Sequence, residues 1–272
     1  MRILVHPGFH KTGTTSVQYG LSRNAEVLDG RVRVLQMDDF PDAIAAARRH
    51  SAQPAPRRLR KYAAGFAAAV APLDPGDPRP LLVSSEKLLG WIPGRKENWS
   101  YAATPELMER LAEVLEGHFG KGAEITFYFT TRAAEDWKRS VYWQNLRSMR
   151  ITEDFEAYRP RLEKAARLDE VVAETRARLG GRARVISRPV EALADAPQGP
   201  LGAILRELGV ATDDLMPFKS YNMQPDGAAE ELLRLNRSEL DEAALNKAKR
   251  ERIQHYQSAG LMRRKAGDGG QG

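Results

Sequence analysis

The sequence predicts an α/β fold built on a parallel β-sheet with helices on both faces, and three observations carry that reading. Short apolar runs recur along the chain, as in Ile3 to Val5, Val32 to Leu35 and Leu81 to Val83, each the length of a buried strand. Longer segments between them repeat apolar residues at helical spacing. Strand and helix signals alternate, and that order implies parallel pairing with helices crossing over the sheet.

Taken in order, Ile3 to Val5 is the first strand, and a loop bracketed by Gly8 and Gly13 leads into a helix that starts near Thr14. A short strand follows at Val32 to Leu35, then a helical region from Asp42 to Ala71 broken by Gln53-Pro-Ala-Pro56. The Pro- and Gly-rich segment Pro72 to Pro80 connects to a strand that ends in Ser84, Ser85 and Glu86. Thr104 reads as an N-cap with Pro105 at the first helical position, and Leu107, Leu111, Val114 and Leu115 share one face until Gly120. Glu124 to Thr130 alternates as a strand, with Ile125, Phe127 and Phe129 on one side and Arg132 at its end. A helix from Ala133 to Leu146, a long helical pair and a strand starting at Ala183 continue the alternation. An α/β chain of 272 residues is routinely one domain, so residues 1–272 are read as a single domain, with 260–272 as a flexible Gly-rich tail.

The loop after the first strand has the chemistry of a phosphate cradle. Glycine lets the backbone turn tightly and approach an anion, helix N-terminal N–H groups point at it, and Lys11 adds a full charge. Thr12, Gly13, Thr14 and Thr15 are the candidate backbone and hydroxyl donors. The order differs from the common nucleotide-triphosphate loop, in which the lysine follows the second glycine, because Lys11 precedes Gly13. Ser140 lies eight positions after Arg132, on the early turns of the following helix, where a hydroxyl and a guanidinium can converge on one phosphate. In open α/β sheets ligands sit beyond the carboxyl ends of the strands. Ser84, Ser85 and Glu86 are therefore expected to face the same crevice as Lys11 and Arg132, with Glu86 as a candidate proton acceptor and His10 as the alternative.

Gly8-Phe-His-Lys-Thr-Gly-Thr-Thr-Ser-Val-Gln18 resembles the 5′-phosphosulfate loop of sulfotransferases that use 3′-phosphoadenosine 5′-phosphosulfate (PAPS). The Arg132–Ser140 spacing matches the pair with which that family holds the 3′-phosphate. The resemblance implies a P-loop-type parallel sheet flanked by helices, PAPS as sulfuryl donor, and a base at the strand end that here carries Glu86. It also implies an acceptor that bears a hydroxyl, whether glycan, lipid or small molecule. Val190-Glu-Ala-Leu193 resembles the family's Y-E-D-L without its aromatic residue or aspartate, and Asn222 to Asn236 resembles a segment that closes bacterial carbohydrate-type members, without its serines. Arg264-Lys-Ala-Gly-Asp268 is a faint echo of the R-K-G-x-x-G-D-W-K motif.

Composition bounds the alternatives. A formal charge of +6 and a pI near 9.5 suit an anionic donor, and with the charge spread over many helices nucleic acid is not favoured as a partner. There is no cysteine, and the histidines at 6, 10, 50, 118 and 255 lack zinc spacing, so no metal is expected. No run approaches the ~20 apolar residues of a membrane span, and the chain reads as soluble and cytoplasmic. Arg57, Arg58, Arg60 and Lys61 form one basic cluster, and Arg147 and Arg150 a second; each is either a solvated helix face or a place for a sulfated or carboxylated acceptor. Trp91, Trp99 and Tyr101 stand after Glu86, where they either line the crevice mouth or pack their own loop. The other readings are a P-loop kinase-like phosphotransferase and a non-catalytic nucleotide-binding module. A kinase usually places a Mg²⁺-holding Asp at a neighbouring strand end, whereas this one ends Ser84-Ser85-Glu86. The acceptor's identity and the oligomeric state are left open by a single sequence.

Overall fold

The computed structural model describes residues 1–193, 196–217, 224–260 and 262. Five strands, β1 (Arg2–His6), β2 (Arg33–Leu35), β3 (Leu81–Ser84), β4 (Glu124–Thr131) and β5 (Arg184–Pro189), form one sheet in the order β2-β3-β1-β4-β5. Every neighbouring pair is parallel; Val5 stands opposite Val83 on one side and Phe127 on the other. The α/β parallel sheet expected from the alternating signals is what the chain forms.

Helices α1 (Thr14–Arg23) and α2 (Ala25–Leu28) join β1 to β2, and α3 (Pro41–Ala52) and α4 (Pro56–Val70) join β2 to β3. The break between α3 and α4 falls at the Pro54/Pro56 segment, since each proline removes a donor and disfavours helical backbone before it. A 3₁₀ turn (Glu86–Leu89) and α5 (Thr104–Phe119) lead into β4. Beyond β4 come α6 (Ala134–Ser148), α7 (Phe155–Tyr158) and α8 (Leu168–Leu179), and beyond β5 come α9 (Gly199–Glu207), α10 (Ala228–Asn236) and α11 (Glu242–Ser258).

Alternation along the strands sends side chains to two cores. Ile3, Val5, Leu81, Val83, Ile125, Phe127 and Phe129 pack with α3, α4, α5 and α8 on one face. Leu4, Leu82, Tyr128 and Ile186 meet Val17 and Leu21 of α1 and Leu201, Ile204 and Leu205 of α9 on the other. The central β1 is therefore buried on both sides, as its continuous apolar run requires.

Two local expectations change. Thr104 is the first residue of α5, with Ala103 at the cap, and its buried hydroxyl caps nothing; the helix starts one residue early because Pro105 suits either of its first two positions. Of the second basic cluster, Arg150 turns to Glu242 Oε1 at 2.8 Å and to the carbonyls of Ser238 and Leu240. Beside it Lys249 Nζ donates to the carbonyls of Leu146 and Met149, both at 2.8 Å. Together they pin α11 to the C-terminal end of α6. Residues 222, 223 and 264–268 of the two C-terminal resemblances, and most of the expected tail 260–272, lie outside the described residues.

Candidate active site

The connection leaving β1 runs to one side of the sheet and that leaving β4 to the other, so the two strand ends diverge and open a crevice between them. A cleft of about 720 Å³ lies there. Lys11 and Gly13 from the loop after β1, Thr14 and Thr15 from the start of α1, Glu86 from the turn after β3, Arg132 from the end of β4 and Ser140 from α6 all line it.

The loop is shaped by its glycines. Gly8 has φ +49° and Gly13 +95°, and a Cβ on either would stand 2.8 Å from Thr14 Oγ1 or 2.9 Å from Val190 Cγ2. Lys11 also adopts left-handed backbone, φ 70°, a conformation that costs a side-chain-bearing residue energy and is held by its surroundings. Those surroundings are hydrogen bonds. The carbonyl of Phe9 accepts from Thr12 Oγ1 at 2.7 Å, that of His10 from Trp137 Nε1 at 2.9 Å and that of Lys11 from Arg132 Nη1 at 3.4 Å. Three successive carbonyl dipoles, which would repel an anion, are thus engaged by the protein. The Ser16 and Val17 N–H groups of α1 donate to the Gly13 carbonyl, at 2.9 and 3.3 Å, whereas those of Thr14 and Thr15 lie too early in the helix for an intrahelical acceptor, and the buried Thr14 hydroxyl has no partner among the described residues. Anion-directed donors are what remains.

Beneath the loop runs a buried polar chain. Thr12 Oγ1 meets Thr130 Oγ1 at 2.9 Å, and the His6 ring joins Thr130 Oγ1 at 3.5 Å to Ser84 Oγ at 3.1 Å. Thr12 therefore fastens the loop to β4 and does not line the cleft, because both its hydroxyl and its N–H, at 3.3 Å from the Phe9 carbonyl, are used inside. Ser84 and Ser85 correct the expectation in the same way. Ser84 points inward to His6, and Ser85 caps the 3₁₀ turn by accepting from Lys87 N at 3.2 Å. Only Glu86 of that trio faces the cleft, its carboxylate accepting from Gln18 Nε2 of α1 at 3.1 Å.

Arg132 Nη1 donates to Ser140 Oγ at 2.9 Å, so guanidinium and hydroxyl present one donor group. Arg132 Nε also lies 4.0 Å from Glu191 Oε1. His10 is half-buried and lines the cleft, with Nδ1 3.1 Å from the Tyr101 hydroxyl. Burial, followed by Arg95, Arg48, Lys11 and Lys87, pushes its pKa down to about 3, which makes its ring a poor proton acceptor beside a carboxylate.

No family model matches the chain, and no curated protein sequence matches it. Among solved structures it is similar to the crystal structure of a sulfotransferase from Alicyclobacillus acidocaldarius, at 19% sequence identity over 97% of each chain with a TM-score of 0.44. A likeness at that level carries no argument about the site.

Other side chains reach the cleft that sequence reasoning did not place there. Arg48, Lys87, Arg95, Arg139 and Arg147 join Lys11 and Arg132 in lining it, and Asp136 and Glu191 join Glu86. Arg147 had a signal, as one half of a basic cluster; Arg48 and Arg95 had none, because an arginine in an Ala-rich helix or a loop reads the same in solvent. Of the three aromatics, Trp91 lines the cleft, Tyr101 is buried against His10, and Trp99 packs on Tyr158 and under Arg161. The cluster from Arg57 to Lys61 lies on α4, and none of its members borders the cleft.

Proposed function

We propose that this chain is a sulfotransferase that moves the sulfuryl group of PAPS to a hydroxyl of an acceptor, a glycan, lipid or small molecule. The observation that carries the reading is the Arg132–Ser140 contact at 2.9 Å in the same cleft as the Lys11 loop and Glu86. Two anion-directed donor groups on adjoining strands suit a nucleotide phosphorylated at both its 3′ and 5′ positions. The loop glycines, whose Cβ positions are filled, and the unpartnered Thr14 hydroxyl fit the 5′ end.

In this reading Arg132 and Ser140 hold the 3′-phosphate, and Lys11, Gly13, Thr14 and Thr15 hold the 5′ end. Glu86, oriented by Gln18, takes the acceptor's proton as the acceptor oxygen bonds to sulfur. The sulfur–oxygen bond to the nucleotide breaks, its electron pair stays on the 5′-phosphate, and Lys11 stabilises that growing charge. Water is kept from the reacting atoms by the acceptor itself once it fills the cleft.

Calorimetric titration with the desulfonated product, 3′-phosphoadenosine 5′-phosphate, against AMP, ATP and GTP tests the reading. The bisphosphate is expected to bind most tightly. Arg132→Ala should remove about 2–3 kcal/mol of charge-assisted bonding, a loss on the order of 30–150-fold in affinity for it. Equal affinity of the native protein for AMP and the bisphosphate would refute the assignment of the 3′-phosphate.

A further inference from the structure

The cleft carries more positive charge than the proposed donor uses, and the surplus is gathered in one place. Arg48 comes from α3, Arg95 from the loop beyond the Glu86 turn and Arg147 from the last turn of α6. Arg95 donates to Asn145 Oδ1 at 3.2 Å and to Ser148 Oγ, which seats it beside the end of α6 that bears Arg147. The Arg48 guanidinium lies 4.6 Å from the centroid of the Trp91 ring, and that of Arg147 5.8 Å from Trp143. Trp91 is in turn tied to α3 through its backbone N–H, which donates to Ser51 Oγ at 3.0 Å.

None of these three arginines forms an ion pair among the described residues, although many arginines elsewhere in the chain do. The Nε atoms of Arg48 and Arg147 are buried without a hydrogen-bond partner. Burial lowers the pKa of Arg95 and of Arg147, and the neighbouring Arg48 lowers that of Arg95 further. Gathering half-buried like charges with no ion-pair partner among the described residues is unfavourable, and an anion between them removes the penalty. That anion is not the one proposed for Ser140. Arg147 follows Ser140 by seven residues, two turns along the same face of α6, which separates their backbones by about 10 Å.

Resting on the sulfotransferase reading above, we infer that the acceptor is itself an anion. Beside the hydroxyl that reacts, it carries a sulfate or carboxylate group held by Arg48, Arg95 and Arg147, with the rings of Trp91 and Trp143 at its flanks. The planar guanidinium matches either group with two parallel hydrogen bonds. Of the carboxylates that line the cleft, Glu86, on the turn that packs against α3, is the one nearest in sequence to this cluster. Its negative charge is separated from the acceptor's anion by the part of the molecule that bears the hydroxyl.

The test loads the protein with 3′-phosphoadenosine 5′-phosphate and titrates it with glucose 6-sulfate, glucuronate and glucose. The two charged sugars are expected to bind and glucose not to. Arg48→Gln and Arg147→Gln should each weaken the charged sugars roughly 10–100-fold while nucleotide affinity stays within about threefold, as expected for separate sites. Arg57→Gln, which removes the same charge from exposed α4, should change neither. Glucose binding as tightly as glucose 6-sulfate, charged sugars that fail to bind, or variants that bind them as the native protein does would overturn the inference. Failure of the nucleotide alone refutes the sulfotransferase reading instead. The sugars are then titrated against nucleotide-free protein, where binding lost in Arg147→Gln upholds the anion site and no binding overturns it.

Discussion

Lys11 is the residue on which the proposed reaction separates binding from chemistry. Its left-handed backbone is braced by the Arg132 contact to its carbonyl, so the side chain is presented by a strained loop that has supports besides the ammonium. In the proposed reaction that ammonium faces charge that grows only as the nucleotide leaves. Lys11→Ala should lower kcat by roughly 10²–10³ and weaken nucleotide binding far less; equal losses in both, read from steady-state kinetics and calorimetry, would make the lysine a simple anchor. Glu86→Gln keeps the size and the contact with Gln18 but cannot accept a proton, so turnover should fall by roughly 10²–10⁴ with nucleotide affinity unchanged. Near-normal turnover of that variant would remove Glu86 from the base's role. His10 is a weak substitute, since burial and four neighbouring cations hold its ring neutral down to about pH 3.

At the scale of elements, the loop between β1 and α1 was legible because its signals are local: glycines, a lysine and a helix start within a few residues. Its support was not. Thr12 looked like one more donor to the anion, yet it belongs to the buried chain from His6 to Thr130, a contact across strands far apart in sequence. Gly13 carries the loop into α1 at φ +95°, with Val190 filling the place of a side chain. Gly13→Ala should therefore destabilise the protein by about 1–3 kcal/mol and weaken the bisphosphate, measured by denaturant unfolding and titration; an unchanged unfolding midpoint would show that the loop relaxes freely. Arg132 and Ser140 were legible for the same reason as the loop. A strand end, a tight turn and two helical turns lie within one β-α unit, so eight residues of spacing already set their approach. Arg147 shares that face of α6, but only the pinning of the helix end by Lys249 and Arg150 from α11 fixes where it ends.

The whole molecule should respond to acid through the imidazoles of His6 and His10. Burial holds His6 down to about 4, and burial with nearby cations holds His10 to about 3, from an ordinary 6.5. Below pH 6.5 the unfolded chain takes up protons that the folded protein refuses until those lower values. Stability is thus complete above 6.5 and falls as pH drops toward 4, by about 1.4 kcal/mol per unit for each histidine. Denaturant midpoints should decline steeply across that window, with about half the slope in His6→Asn; a flat profile would mean that the rings protonate in place. Among the described residues no helix is long and apolar enough to cross a membrane. The sequence by itself determined the strands, the α/β class, the loop with Lys11 and the Arg132–Ser140 pair, since each follows from the period of apolar residues or from a few consecutive positions. Tertiary structure alone decided the order β2-β3-β1-β4-β5, the inward turn of Ser84, and the meeting of Arg48, Arg95 and Arg147. Those depend on which strands pair and which helices pack over long stretches of chain, and an arginine's neighbours in sequence are the same whether its guanidinium ends in water or in a cleft.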